Sequence, residues 1–325
     1  MKTLLKANNI RTYFEVRGGF FQKVQNHVKA VDDVSIEVGT GEIVSIVGES
    51  GCGKSTLGLS LMGLQPMNGG EIYFDNHKLD FKNKSAIKSM RRDFQIIFQD
   101  PYASLNPRLT IFELLAEPLL LHNICNKDNA KEHVRELLLK VDLQPEMMER
   151  FPHSFSGGQR QRIAIARALG IKPKLIICDE IVSALDVSVQ AQILELLLKL
   201  KKEMNLSLLF ISHDLAVVRA ISDRVYVMYL GKVVEHANSE TLFKGVKHPY
   251  TEALLNSIPT LDRSIKPSIL EGEVPSPINR PKGCNFSTRC PYVVSKCKDE
   301  EPKLESVNSE ERHITSCHYP GKFNS

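Results

Sequence analysis

From Gly48 to Ser55 the chain reads Gly-Glu-Ser-Gly-Cys-Gly-Lys-Ser, a match to G-x-x-x-x-G-K-S, and Thr56 follows. These residue types suit the holding of a polyphosphate. The glycines let backbone amides face an anion at positions where side chains would clash. Gly48, Ser50, Gly51, Cys52, Gly53 and Thr56 are therefore read as nucleotide-binding positions together with Lys54 and Ser55. Lys54 supplies a compact charge for β- and γ-phosphates, and Ser55 a hydroxyl for Mg²⁺. A helix starting near Lys54 would aim its positive dipole end at the same anions.

Two acids, Asp179 and Glu180, close an apolar run at Lys174–Cys178. At the carboxyl edge of a parallel sheet they would meet a ligand. Asp179 is expected on the Mg²⁺ side and Glu180 as general base toward an attacking water. Gln99 follows the apolar run Phe94–Phe98, and His213 follows Leu208–Ile211. Ser156-Gly157-Gly158-Gln159 precedes a helical run, Arg160–Leu169, so its amides lie at a helix N-terminus and form an anion site.

Seven cysteines divide unevenly: Cys52, Cys125 and Cys178 are scattered, whereas Cys284, Cys290, Cys297 and Cys317 crowd the tail. Four thiolates suit an iron–sulfur cluster or tetrahedral zinc, with unligated thiols as the third reading and His313 and His318 as alternative zinc ligands.

The elements that must position these groups follow from hydrophobic pattern. Gly41–Gly48 reads as a buried strand entering the phosphate loop, and Lys54–Leu64 as a helix. Lys174–Cys178 and Leu206–Ile211 are buried strands flanking a helix that runs from Val189, with an apolar face at Ile193, Leu197, Leu200 and Met204. Strands alternating with helices predict a parallel sheet covered on both faces. Arg224–Glu235 reads as a hairpin about Leu230-Gly231-Lys232. Ile111–Val141 is helical in pattern, an insertion spanning about 100–165. Beyond about residue 255, Pro259, Pro267, Pro275, Pro277 and Pro281 mark an extended connector.

In their order and flanking sequence, these motifs resemble the ATP-binding cassette (ABC) ATPases. The resemblance implies an α/β nucleotide-binding domain over 1–255, comprising a P-loop core, an antiparallel β subdomain and a helical subdomain. A cysteine-rich extension over 256–325 follows. It implies that Gln99 senses Mg²⁺ and water, and that the groove after it receives a membrane-subunit helix. By the same resemblance His213 contacts the γ-phosphate. Ser156 to Gln159 faces ATP held by the opposite subunit of a head-to-tail pair. Asp186, in Ser183-Ala184-Leu185-Asp186, lies on the loop that crosses between subunits. Tyr13, ahead of the first strand, fits the aromatic that stacks on adenine; Phe14 is its rival and a core role the alternative. Phe155 stands where leucine is commoner, and Ile181 where proline is typical.

Gln99–Arg108, Ser183–Gln192 and His248-Pro249-Tyr250-Thr251 look like the oligopeptide/dipeptide importer ATPases of the F type. That branch implies a D-type ATPase partner, two transmembrane permeases and an extracellular substrate-binding protein. It also implies a [4Fe-4S] cluster on Cys284, Cys290, Cys297 and Cys317, with Zn²⁺ as the alternative. Nickel and metallophore importers share much of this sequence and stand as the alternative substrate class. A soluble ABC ATPase would carry long coiled coils or two cassettes, and neither is present.

Composition agrees with that reading. Among 325 residues, 42 basic and 38 acidic side chains leave a net charge of +4, which argues against nucleic-acid binding driven by bulk charge. No apolar run approaches the roughly 18–20 residues that span a bilayer. No secretory signal is visible at Met1–Leu5, so the expected location is the cytoplasmic face of a membrane, reached through partners.

Overall fold

The computed structural model describes residues 2–18, 23–257, 272–307 and 313–322. Its strands, in chain order, are β1 (Thr3–Gly18), β2 (Lys23–Gly39), β3 (Ile43–Val47), β4 (Gly69–Phe74), β5 (His77–Lys78), β6 (Phe94–Ile97), β7 (Leu175–Asp179), β8 (Ser207–Ser212), β9 (Arg224–Tyr229), β10 (Lys232–Asn238), β11 (Glu305–Ser306) and β12 (Ile314–Thr315). Two compact units emerge. One holds Val38–Glu42 and Leu79–Phe210; the other holds Thr3–Glu37, Ile43–Lys78 and Ile211–Ser325.

In the second unit, β3 is buried along its whole length and runs parallel to β9, with Val44 opposite Arg224 and Val47 opposite Val227. A strand buried on both faces needs no polar alternation, which is why Ile-Val-Ser-Ile-Val reads as a continuous apolar run. The β9–β10 hairpin turns at Leu230 and Gly231, both at positive φ, 45° and 75°. That conformation matches the twist of paired strands. β12 continues the sheet on the far side of β10, pairing Glu235 with Thr315, so the tail adds a strand to this unit.

The same unit carries an antiparallel sheet in the order β2-β1-β4-β5. Tyr13 lies within β1, not ahead of the first strand as its sequence context suggests. The physical reason is a bulge. The β1–β4 register shifts between Asn8 and Arg11, and Asn9 takes a left-handed φ of 51°. Buried positions switch from Leu5 and Ala7 to Ile10 and Thr12. An extra residue inverts the alternation and hides the strand from a period-of-two reading.

In the first unit, β7 lies between β8 and β6 and runs parallel to β6, with Phe94 opposite Leu175 and Ile97 opposite Cys178. The helix Val187–Met204 buries Ile193, Leu196, Leu197 and Leu200. It ends at Asn205, whose φ of 49° makes the left-handed stop. Helices Ile111–Leu121, Ala130–Lys140 and Gly157–Leu169 form the inserted helical part. The first starts with a capping box between Thr110 and Glu113, which satisfies two donors that the helix start would leave unpaired. The prolines at 259 and 267 of the expected connector lie outside the described residues.

Candidate functional site

The phosphate loop follows β3. Gly48, Gly51 and Gly53 sit at φ 154°, 78° and 106°. A Cβ on Gly48 would fall 2.2 Å from the Met228 carbonyl oxygen, and one on Gly53 2.0 Å from that of Ala30. Backbone packs against backbone at both points, so only glycine fits. Gly53 caps the helix Lys54–Leu61, whose first turn holds Ser55 and Thr56. Lys54 is 4% exposed, and its Nζ donates to the carbonyls of Gly48 at 2.8 Å and Glu49 at 3.0 Å. Its charge is thus folded over the loop. Cys52 is buried, and burial pushes its thiol up. Ser50 lies on the same loop, and His213 directly follows the last residue of β8.

The Tyr13 hydroxyl donates to Asp32 Oδ1 at 2.6 Å. Burial, then that bond, pushes the phenol up to about 12. Burial opposes ionisation of Asp32. The Tyr13 hydrogen bond and the charges of Lys232, Arg280 and Lys29 nevertheless hold its carboxyl below the usual range. Arg280 contributes a bond of 2.8 Å from Nη1. The neighbouring Phe14 is exposed.

In the other unit, Asp179 ends β7 and is 6% exposed. Glu180 follows in a left-handed conformation, φ 48°, unusual for a residue with a side chain. Since Ile97 pairs with Cys178, two residues on from each brings Gln99 level with Glu180. The amide Nε2 of Gln99 donates to Glu180 Oε2 at 3.0 Å. Ser183 closes the turn behind the acid, its hydroxyl donating to the Glu180 carbonyl at 2.8 Å.

Ser156 caps the helix Gly157–Leu169 in a reciprocal box: Gln159 N–H donates to Ser156 Oγ at 3.3 Å, and Ser156 N–H to Gln159 Oε1 at 3.1 Å. Ser156 and Gly157 are exposed. A Cβ on Gly158 would meet Val189 Cγ1 at 2.5 Å, and one on Gly157 would meet Leu185 Cδ2 at 3.3 Å. The two glycines let the segment around Asp186 approach closely. Asp186 itself caps the helix Val187–Met204 by accepting from Val189 N–H at 3.0 Å.

Cys284, Cys290, Cys297 and Cys317 line one cavity of about 30 Å³, together with Phe286. All are free thiols. Burial pushes Cys284 up to about 12, Cys317 up to about 11, and Cys290 upward as well. Among the described residues, no three or more of His, Cys, Asp and Glu are drawn together to hold a metal ion. His318 borders the cavity. His313 is committed elsewhere, its Nε2 lying 2.6 Å from Glu235 Oε1.

The ABC transporter family matches residues 31–183, and the oligopeptide/dipeptide transporter C-terminal region matches 234–297. The oligopeptide transport ATP-binding protein AppF of Bacillus subtilis is 48% identical over 322 residues, covering 98% of this chain and 97% of the relative. Its counterpart OppF of Salmonella typhimurium is 47% identical, covering 97% and 96%. The chain belongs to the ABC-type oligopeptide/dipeptide transport ATP-binding proteins. Solved structures agree on the ABC ATPase fold, a mixed α/β architecture. The cassette cbiO1 from Clostridium perfringens superposes with a TM-score of 0.64 at 26% identity, covering 75% of this chain and 92% of its own. The ATP-binding cassette MJ0796, solved as a dimer bound to ADP and Pi, gives 0.64 at 30%, covering 73% and 99%.

Phe155 and Ile181, set apart in the sequence of this ABC ATPase, are both buried, 4% and 2% exposed. Sequence reasoning missed two acids with distant arginine partners. Arg289 binds Glu49 of the phosphate loop through both guanidinium Nη atoms, at 2.7 and 3.0 Å. Arg280 binds Asp32. These partners lie 240 and 248 residues away, and no local pattern announces them.

Proposed function

We propose that this ABC ATPase powers the import of di- and oligopeptides through a membrane transporter. Its relatives' names supply the substrate class. The observation that carries the chemistry is the Gln99–Glu180 hydrogen bond at the carboxyl ends of two paired parallel strands, beside the strand-end acid Asp179. Glu180 acts as general base on the attacking water, and Gln99 holds its carboxylate in place. Lys54 and the amides of residues 48–56 bind the phosphates of ATP, with Tyr13 against the adenine and His213 toward the γ-phosphate. Ser55 in one unit, and Asp179 with Gln99 in the other, each carry hard oxygen donors of the kind that suit Mg²⁺. A bound Mg²⁺ would supply positive charge to neutralise what develops during phosphoryl transfer.

The exposed box at Ser156–Gln159 reads ATP held by a second ATPase subunit, with Asp186 at that interface. A D-type subunit is the partner in this head-to-tail pair. Two permeases and an extracellular substrate-binding protein complete the transporter, with the ATPase on the cytoplasmic face and no nucleic acid involved. Residues 1–255 serve as the nucleotide-binding domain and 256–325 as its extension.

The four tail thiols suit a [4Fe-4S] cluster as a structural group. Four soft sulfur donors line one cavity. Cys297→Ser should remove iron and visible absorption from anaerobically purified protein; full retention of both would dismiss the cluster.

The test of function is uptake of a labelled tripeptide by cells carrying wild type or Glu180→Gln, with nickel uptake followed in parallel. Loss of peptide uptake alone is expected. Intact peptide uptake with lost nickel uptake would overturn the substrate class.

A further inference from the structure

Glu49 is the one acid in the phosphate loop. A carboxylate among groups meant for a polyphosphate is an electrostatic liability, since like charges at close range repel strongly where water is scarce. The fold restrains it from two sides. The Glu49 N–H donates to the Tyr250 hydroxyl at 2.8 Å, and its carboxylate takes the two-pronged bond from Arg289. The Arg289 side chain is 5% exposed and the Glu49 side chain 25%. A planar guanidinium bound through two nitrogens fixes direction as well as charge.

Arg289 is itself held by the tail. Its N–H donates to the Phe286 carbonyl at 3.0 Å, and Ser287 N–H to the Cys284 carbonyl at 2.9 Å. The arginine therefore stands in a run of turns bracketed by Cys284 and Cys290, two walls of the thiol cavity. Phe286, from the same run, packs edge-on against Tyr229 with centroids 5.4 Å apart, and against Tyr250 at 5.4 Å. Tyr250 is the residue that meets the Glu49 amide. Both restraints on Glu49 thus rest on one short segment of the tail.

We infer that Arg289 is a positioning residue for ATP binding: it holds Glu49 out of the phosphate nest, so that the loop is free to take the anion. This rests on the reading of residues 48–56 as the ATP phosphate loop. Without the guanidinium, the freed carboxylate competes with phosphate for Lys54 and the loop amides.

The experiment measures the Kd of a fluorescent ATP analogue with Mg²⁺ on purified full-length chain, and KM and kcat for ATP in the assembled transporter. Arg289→Ala is expected to weaken binding by about tenfold, within the range of coupling between neighbouring sites, and to raise KM by more than it lowers kcat. Arg289→Lys, which keeps charge but loses the fork, should show a smaller loss. The deciding variant is Arg289→Ala with Glu49→Gln, which should regain binding because the competing charge is gone. Damage to the tail alone would not be repaired by a change in the loop. Unchanged Kd in Arg289→Ala, or a double variant no better than the single, overturns the inference. If Arg289→Ala does not fold, Arg289→Lys with and without Glu49→Gln is judged by the same two criteria. Failure of the wild type to bind the analogue would instead overturn the reading of the loop itself.

Discussion

Gln99 and Glu180 lie 81 residues apart in sequence, yet a single hydrogen bond of 3.0 Å joins the amide of one to the carboxylate of the other. The parallel pairing of β6 with β7 dictates the meeting, because Ile97 and Cys178 are register partners. The left-handed backbone of Glu180 turns the acid out of a strand that is otherwise buried. Strain of this kind costs on the order of 1–3 kcal/mol and is retained where the geometry is used.

Replacing Glu180 by Gln keeps shape and removes the base. The variant should bind ATP with wild-type affinity, while phosphate release by the assembled transporter slows by about 100-fold or more. Near-normal turnover would exclude Glu180 as the base.

Gln99→Glu places a second carboxylate where an amide now donates. Two acids sharing a site cannot both ionise easily, so one titrates upward. The acid limb of the kcat–pH profile should move to higher pH, whereas Gln99→Ala should lower kcat without that displacement. An unmoved limb in Gln99→Glu would show that the two side chains do not meet in the working enzyme.

Ser156→Ala removes the cap of the helix Gly157–Leu169. Loss of such a cap costs about 1 kcal/mol, readable in denaturant melts. ATP affinity of the isolated chain should hold, because this helix end is assigned to the partner's nucleotide, whereas turnover of the paired subunits should fall. Weakened binding in the isolated chain would contradict that division of labour.

Stability should fall on mild acidification. Burial lowers His248 to about 4, and burial with the charges of Arg224 and His313 lowers His236 to about 4. In the unfolded chain both titrate near 6.5. Between these values the unfolded chain binds protons that the native one refuses, so stability is present above 6.5 and drains away as pH drops toward 4. For His248 the loss from pH 7 to pH 5 is about 2 kcal/mol. Its Nδ1 accepts from Tyr250 N–H at 3.1 Å, a role that protonation destroys. His248→Asn preserves an acceptor at this helix cap and should flatten the acid slope in melts taken across that range.

What could be read from the sequence was local. The phosphate loop, Asp179-Glu180 and Ser156–Gln159 each sit where a strand or loop gives way to a helix or turn, so a few adjacent residues carry the whole signal. Gln99 and His213 were placed by the apolar runs that precede them, both of which fold as strands. β1 was illegible because Asn9 inverts its alternation partway. Glu235, wholly buried in β10, gave no warning either: its carboxylate meets the Lys247 and His248 amides and the His313 imidazole, all brought there by tertiary folding. The two arginine–acid pairs belong to the same class.

Arg280 and Arg289 both arrive from beyond residue 272, and Phe286 with them. A minimal cassette trimmed at the end of the helix Pro249–Asn256 would keep every nucleotide-site motif described above. It would also strip a buried counter-charge from Asp32 and from Glu49, and uncover the rings of Tyr229 and Tyr250. Such a fragment would be aggregation-prone and repellent to anions, and its poor performance would say nothing about the motifs it retains.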